Sequence, residues 1–161
     1  MSQAIATNKK AYRDYFLTDF IESGIALSGG EVKSIRAGHV SFTDAFARID
    51  QGQVFLYNLH INPYPQASYL NDVPDRARKL LLHKKEIARL DGIVSQKHLV
   101  LVPTKLYFNN RGIVKIELAC GKGKKLYDKR EDIKKRDINR EISRTMRGRK
   151  RWACEFKIYR L

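Results

Sequence analysis

From residue 122 onward the chain stops carrying enough apolar side chains to build a core. Residues 122–151 hold 14 basic and 5 acidic side chains, against 16 basic and 11 acidic in residues 1–121. Between Asp128 and Arg151 the only large apolar residues are Ile133, Ile138, Ile142 and Met146. A self-sufficient fold must therefore come from the first part, which is long enough for one domain with a hydrophobic core. The reading is a globular body over 1–123 and a strongly basic tail over 124–161.

The formal charge of +15 demands a polyanionic partner, either nucleic acid or an anionic membrane surface. No apolar run approaches the roughly 18–20 residues that span a bilayer, and the basic stretches are poor in large apolar residues, so no membrane is expected. The opening Met1-Ser-Gln-Ala-Ile has no signal-peptide pattern, and a cytoplasmic location is expected. Cys120 and Cys154 read as ordinary reduced thiols.

The body reads mainly as β. A short strand is expected at Ile25–Leu27. A hairpin is expected from Phe42 to Ile49 and Val54 to Ile61 around Asp50-Gln51-Gly52, with Phe55, Tyr57, Leu59 and Ile61 on one face. A second hairpin runs from Leu99 to Phe108, turns at Asn109-Asn110-Arg111-Gly112 and returns to Cys120. Its return strand places Val114, Ile116, Leu118 and Cys120 on one side. Pro103 belongs at an edge or bulge.

One basic helix is expected between the hairpins, from Arg76 to Leu90, with Asp75 as N-cap and Gly92 as stop. A shorter helical turn is expected over Glu31–Arg36. About six short strands with one inserted basic helix suggest an OB-like closed β-barrel, a shape that often presents a face to nucleic acid. A split α+β sheet fits the pattern nearly as well.

No Walker-type phosphate loop, Gly-x-Ser-x-Gly elbow or His-Glu-x-x-His pair occurs. His39, His60, His83 and His98 are scattered without metal-ligand spacing. The chain is read as a non-enzyme with no cofactor. The most informative segment is Gly121-Lys-Gly-Lys-Lys-Leu-Tyr-Asp-Lys-Arg130. Its glycines let a phosphate chain approach the backbone while the lysines neutralise it. Tyr127 adds a face for stacking on an unpaired base. Lys9, in a segment mixing cations with aromatics, and Arg78 and Lys79, on the expected basic helix, are further candidate phosphate contacts.

Asn8-Lys-Lys-Ala followed by Asp14-Tyr-Phe16 resembles the opening of the SsrA-binding protein family, also called small protein B. Gly24-Ile-Ala-Leu, Gly30-Glu-Val-Lys-Ser-Ile-Arg-Ala-Gly38, Arg78-Lys-Leu-Leu-Leu-His83, the Gly121–Arg130 segment and Asp132-Ile-Lys-Lys-Arg136 extend the resemblance over about residues 8–147. It implies an OB-type barrel that grips the transfer-RNA-like part of transfer-messenger RNA at its elbow. It also implies a tail that enters the decoding centre and empty messenger channel of a stalled ribosome. Elongation factor Tu and alanyl-tRNA synthetase act on the same RNA.

Residue by residue, the resemblance places Asn8, Tyr15, Glu22, Leu81, Lys122, Gly123, Lys124 and Lys125 at the RNA site, with Lys33 and Arg36 as cationic supports. Tyr127 takes the place of a decoding-centre aromatic, followed by Asp128, Lys129 and Arg130, and Met146 lies at the tail's apolar contact. The tail is expected to be disordered alone and helical on the ribosome, with Ile138, Ile142 and Met146 toward one wall and Lys134, Lys135, Arg136 and Arg140 toward ribosomal RNA. Three departures stand out: Thr145 where a large aliphatic residue is common, Val73-Pro-Asp-Arg short of one arginine, and an apolar ending, Trp152–Leu161. The alternative is a structural ribosomal protein or rRNA-binding assembly factor with an OB barrel.

Overall fold

In a computed structural model, the described residues are 4–65, 73–125 and seven later positions: Tyr127, Asp128, Ile138, Arg140, Ile142, Thr145 and Met146. Chain contacts group 1–123 and 124–161 into two units.

The first unit is mainly β. Its elements in chain order are β1 (Ala4–Thr7), α1 (Lys9–Asp14), β2 (Tyr15–Ile25), α2 (Gly29–Arg36), β3 (Val40–Ser41), β4 (Phe46–Asp50), β5 (Gln53–Tyr57), β6 (His60–Ile61), β7 (Arg78–Leu81), α3 (Lys84–Lys97), β8 (Val100–Phe108) and β9 (Val114–Gly123). Seven strands share one sheet in the order β1-β8-β4-β5-β7-β2-β9, every pair antiparallel. Strands β8 and β9 also pair with each other, so the pairings from β8 through β4, β5, β7, β2 and β9 return to β8. Strands β3 and β6 form a separate pair.

The β8–β9 hairpin follows its sequence pattern closely. Val114, Ile116, Leu118 and Cys120 all point into the core, while Lys115 and Glu117 stay half-exposed. Asn109 Oδ1 accepts from the Arg111 and Ile113 amides at 3.0 and 2.9 Å, and Gly112 takes φ +73° to close the turn. The β8–β9 register slips between Pro103 and Lys105, so the proline sits at a bulge, as a residue without an N–H must.

Elsewhere the structure corrects the expected elements. Strand β5 buries Val54 and Leu56 and leaves Phe55 and Tyr57 half-exposed. Asn58 at φ +56° then shifts the phase, which returns Leu59 and Ile61 to the core. The four residues expected on one face therefore split between two. Strand β2, eleven residues long, ends at Ile25 rather than starting there.

The helix expected over Arg76–Leu90 is a strand followed by a later helix. Arg78 and Leu80 point inward from β7 while Lys79 and Leu81 point out, a period of two that pairing with β5 and β2 enforces. Helix α3 starts only at Lys84, where Glu86 Oε2 accepts from the His83 amide at 2.8 Å. It runs through Gly92 to a left-handed His98. Asp75 is no cap; its Oδ1 bonds His60 Nδ1 at 2.8 Å. The shorter helix, α2, carries a capping box: Ser28 Oγ accepts from the Glu31 amide and Glu31 Oε2 from the Ser28 amide.

Candidate nucleic-acid interface

The end of β9 meets the start of β2 in a pairing that assembles one group of candidates. Tyr15 lies opposite Gly123, and Phe16 opposite Lys122. The Tyr15 ring rests on Gly121, where an added Cβ would stand 3.1–3.2 Å from Tyr15 Cβ, Cγ and Cδ1. A glycine here gives the aromatic room against the strand that leads into the lysine-rich segment. Lys122 and Gly123 are exposed at this end.

Helix α1 is docked beside them by Asn8. Its Oδ1 accepts from the Ala11 amide at 3.0 Å, and its Nδ2 donates to the Pro103 carbonyl at 2.9 Å. Its own amide donates to Thr104 O at 2.8 Å. Asn8 is buried, and both polar atoms of its side chain are taken up by these bonds. Lys9 projects from the helix surface, and the Lys10 ammonium pairs with Asp44. A cleft of about 270 Å³ opens between these elements, lined by Asn8, Tyr15, Phe42, Phe46 and Val100 among others. Phe46 stacks on Tyr57 with ring centroids 5.4 Å apart. The sequence pattern took in Phe16 only as part of a segment mixing cations with aromatics and did not single out Phe46; their exposure shows only once register is known.

A second group lies on other strands. Leu81 is 55% exposed, with its side chain against Gly24. It borders a groove of about 610 Å³ that includes Lys79, His83 and Lys84. On α2, the Lys33 ammonium lies 5.4 Å from the Tyr64 ring centroid and the Arg36 guanidinium 5.4 Å from that of Phe108. Both cations are exposed. Glu22 stands exposed on β2, accepting the Tyr107 hydroxyl and, at 3.3 Å, the Lys115 ammonium. The Tyr107 hydrogen bond, aided by Lys115, holds the Glu22 carboxyl below its usual range. Burial and the Glu22 contact push the Tyr107 phenol up to about 12.

Arg78 does not belong with these surface groups. It is fully buried, and its Nε donates to Glu31 Oε1 at 2.8 Å. Its other nitrogens donate to the carbonyls of Leu59, Pro74 and Arg76 at 2.6, 2.8 and 3.1 Å. Arg76 donates to both Glu31 oxygens, at 2.9 and 2.6 Å. Burial pushes the Glu31 carboxyl up, but Arg76, the Ser28 amide and Arg78 together hold it below the ordinary value.

In the second unit, Lys124 is half-buried and Lys125 exposed. The Lys125 amide donates to Asp128 Oδ2 at 3.3 Å. Tyr127, Ile138, Arg140, Ile142 and Met146 are helical in conformation and exposed. The candidates Lys129, Arg130, Lys134, Lys135 and Arg136 lie outside the described residues, as do Cys154 and Trp152–Leu161. Cys120 is buried and unbridged. Among the described residues no cluster of three or more His, Cys, Asp or Glu is placed to hold a metal, and no helix is long and apolar enough to cross a membrane.

A model of the SmpB protein family matches residues 5–148. The chain belongs to the SmpB family. The SsrA-binding protein of Caldicellulosiruptor bescii is 57% identical over 145 residues, covering 90% of this chain and 91% of that one. That of Thermosipho melanesiensis is 57% identical over 144 residues, covering 89% and 98%. A chain solved in work described as "tmRNA-SmpB: a journey to the center of the bacterial ribosome" superposes with a TM-score of 0.64 at 53% identity, covering 75% of this chain and 85% of that one. The family assignment thus agrees with the resemblance carried by the Asn8, Gly30–Gly38 and Gly121–Arg130 motifs.

Proposed function

We propose that this SmpB-family chain binds the transfer-RNA-like domain of transfer-messenger RNA through its body and delivers that RNA to stalled ribosomes. The observation that carries the reading is the junction of Tyr15 on Gly121, with Lys122 beside Phe16. An aromatic platform and a cationic strand end lie side by side, the combination that unpaired, folded RNA needs. The names of the 57% identical relatives and the subject of the structural neighbour support the same RNA and the ribosome as partners.

The returning circuit of six strands supports an OB-type closed barrel as the scaffold of that site. In this reading Lys33, Arg36, Lys79, Lys124 and Lys125 neutralise phosphates, while Glu22 and Leu81 shape the surface. The tail takes the decoding centre and empty messenger channel, Tyr127 stacking there and Ile138, Ile142 and Met146 meeting one wall. Elongation factor Tu and alanyl-tRNA synthetase meet the complex through the shared RNA, in the cytoplasm, and the protein acts by binding rather than by catalysis.

Gel shifts of the full chain with transfer-messenger RNA and with ordinary transfer RNA test the reading. Tighter binding to the former is expected, with affinity falling steeply between low and moderate salt. Equal affinity for both RNAs overturns it.

A further inference from the structure

Helix α2 is eight residues long, too short to hold itself together in water. Ser34 and Ile35 are fully buried on its inner side, while Lys33 and Arg36 are exposed on the outer one. Beyond that packing, Glu31 fixes the helix. A carboxylate offers about four acceptor positions. All are taken: Oε1 by Arg76 Nε at 2.9 Å and Arg78 Nε at 2.8 Å, Oε2 by Arg76 Nη2 at 2.6 Å and the Ser28 amide at 2.9 Å. A helix cap needs only the Ser28 bond. The other three reach 45 and 47 positions along the chain, to the lead-in of β7 and to its first residue. Two of them come from Arg76, so the anchor survives changes at Arg78.

We propose that Glu31 is a positioning residue for the RNA interface: by locking α2 to β7 it holds Lys33 and Arg36 at fixed distances from Lys79, so that an RNA backbone meets a preset spacing of cations. The inference rests on the RNA-binding reading and deepens it, because phosphate spacing on these elements becomes the work of a buried carboxylate. Glu31 itself is only 7% exposed and touches no RNA. Along β7 Arg78 points in and Lys79 out, so the strand that anchors α2 also carries the third cation.

The α2 cations have a second support. The Lys33 ammonium lies over the Tyr64 ring and the Arg36 guanidinium over that of Phe108, each 5.4 Å from the centroid. These contacts limit where each side chain swings, and Glu31 fixes the backbone from which they swing. A preset arrangement lowers the ordering cost that association otherwise carries. Glu31→Gln keeps the shape but turns one acceptor oxygen into an NH2 group facing donors, so α2 loses part of its anchor. The substitution also removes a negative charge, which by simple electrostatics strengthens binding to RNA. A positioning role has the opposite sign.

The test uses the full chain and transfer-messenger RNA, with affinities measured over a salt series at a temperature where melting curves show every variant folded. The variants are Glu31→Gln, Lys33→Ala with Arg36→Ala, and all three together. Removing the two cations should lessen the slope of log affinity against log salt by about 1.4–2, at about 0.7–1 for each phosphate. Glu31→Gln should weaken binding and lessen the slope by a similar amount. In the chain lacking both cations, Glu31→Gln should still lower the melting temperature but leave the slope where it is. A wild-type slope in Glu31→Gln overturns the proposal, as does an equal loss of slope with and without the two cations, or no loss on removing them. The wild-type chain decides the wider reading separately. If it binds transfer-messenger RNA and transfer RNA equally, that reading fails; if it selects the former while Glu31→Gln keeps its slope, only the positioning role fails.

Discussion

The Glu31 carboxylate accepts Arg78 Nε at 2.8 Å across 47 positions of sequence, with Arg78 fully buried and Glu31 only 7% exposed. One residue caps α2 through the Ser28 amide, bonds Arg76, and serves as counter-ion to the guanidinium that ties down the Leu59 and Pro74 carbonyls. Removing Arg78 leaves Glu31 to Arg76 and the Ser28 amide and takes the donor from the Leu59 and Pro74 carbonyls. Arg78→Met should lower unfolding free energy by about 3–5 kcal/mol in urea titrations. Glu31→Gln alone should also destabilise, and the double variant should lose less than the sum of the two single losses, because the pair acts as a unit. The carboxyl is held below its ordinary range, so its stabilisation is complete above the unfolded value and fades as pH falls through the lowered native one. Wild type should therefore lose stability on acidification more steeply than Glu31→Gln, by thermal melts between neutral and acidic pH.

The Tyr15 ring on Gly121 makes a prediction of the opposite kind. Gly121→Ala sets a methyl 3.1–3.2 Å from Tyr15 Cβ, Cγ and Cδ1, so the side chain must give by a few tenths of an ångström. Overpacking of this sort costs typically 1–3 kcal/mol, and the lower end is expected because Tyr15 is only half-buried. RNA affinity should fall while the melting transition stays cooperative. Unchanged gel shifts with Gly121→Ala would show that the platform is not part of the interface.

How much of this was legible follows from which forces were local. The β8–β9 hairpin could be read because Asn109 and Gly112 carry the turn chemistry themselves and Val114–Leu118 alternate without interruption. The start of α2 was partly legible, since Ser28 and Glu31 act on each other within one turn. Strand β7 was not legible. Arg78 looks like a surface cation in the sequence, and only Glu31, Leu59 and Pro74, brought in from elsewhere, make it an interior residue. Strand β2 was hidden for a similar reason: Asp19 at φ +48° interrupts its alternation, and its partners on β9 are 91–108 residues away. Within the candidate site, the lysine motif was plain, but its apposition to Tyr15 and Phe16 was a matter of register.

Lys122 lies beside Phe16 at the exposed end of β9, and Lys125 follows in sequence, also exposed. If each meets one phosphate, Lys122→Ala and Lys125→Ala should each lessen the slope of log affinity against log salt by about 0.7–1. Lys10→Ala should change it less, since that ammonium already faces Asp44. Arg78→Lys should leave the slope unchanged even where it lowers stability, because its charge is internal. Slopes measured by filter binding over a salt series separate these cases.

The tail prediction turns on Ile138, Ile142 and Met146, spaced by four residues and all exposed in helical conformation. Three apolar side chains on one stripe bury too little surface, at about 25 cal/mol per Å², to offset an ordering cost of about 1–2 kcal/mol per residue. The helix should therefore be stabilised by the partner that covers the stripe. Ile138→Pro should cost about 3 kcal/mol or more of formed helix, whereas Ile142→Gln should spare helicity and remove one apolar contact. Both should lower delivery of transfer-messenger RNA to stalled ribosomes, the proline more, with melting of the body and gel-shift affinity unchanged. A chain ending at Lys125 should keep the RNA affinity, because β9 is complete at Gly123, and lose delivery to stalled ribosomes altogether. Amide exchange on the free protein gives the decisive contrast. Fast exchange across residues 132–147 is expected, and helix-like protection there would mean that the stripe needs no partner to hold it.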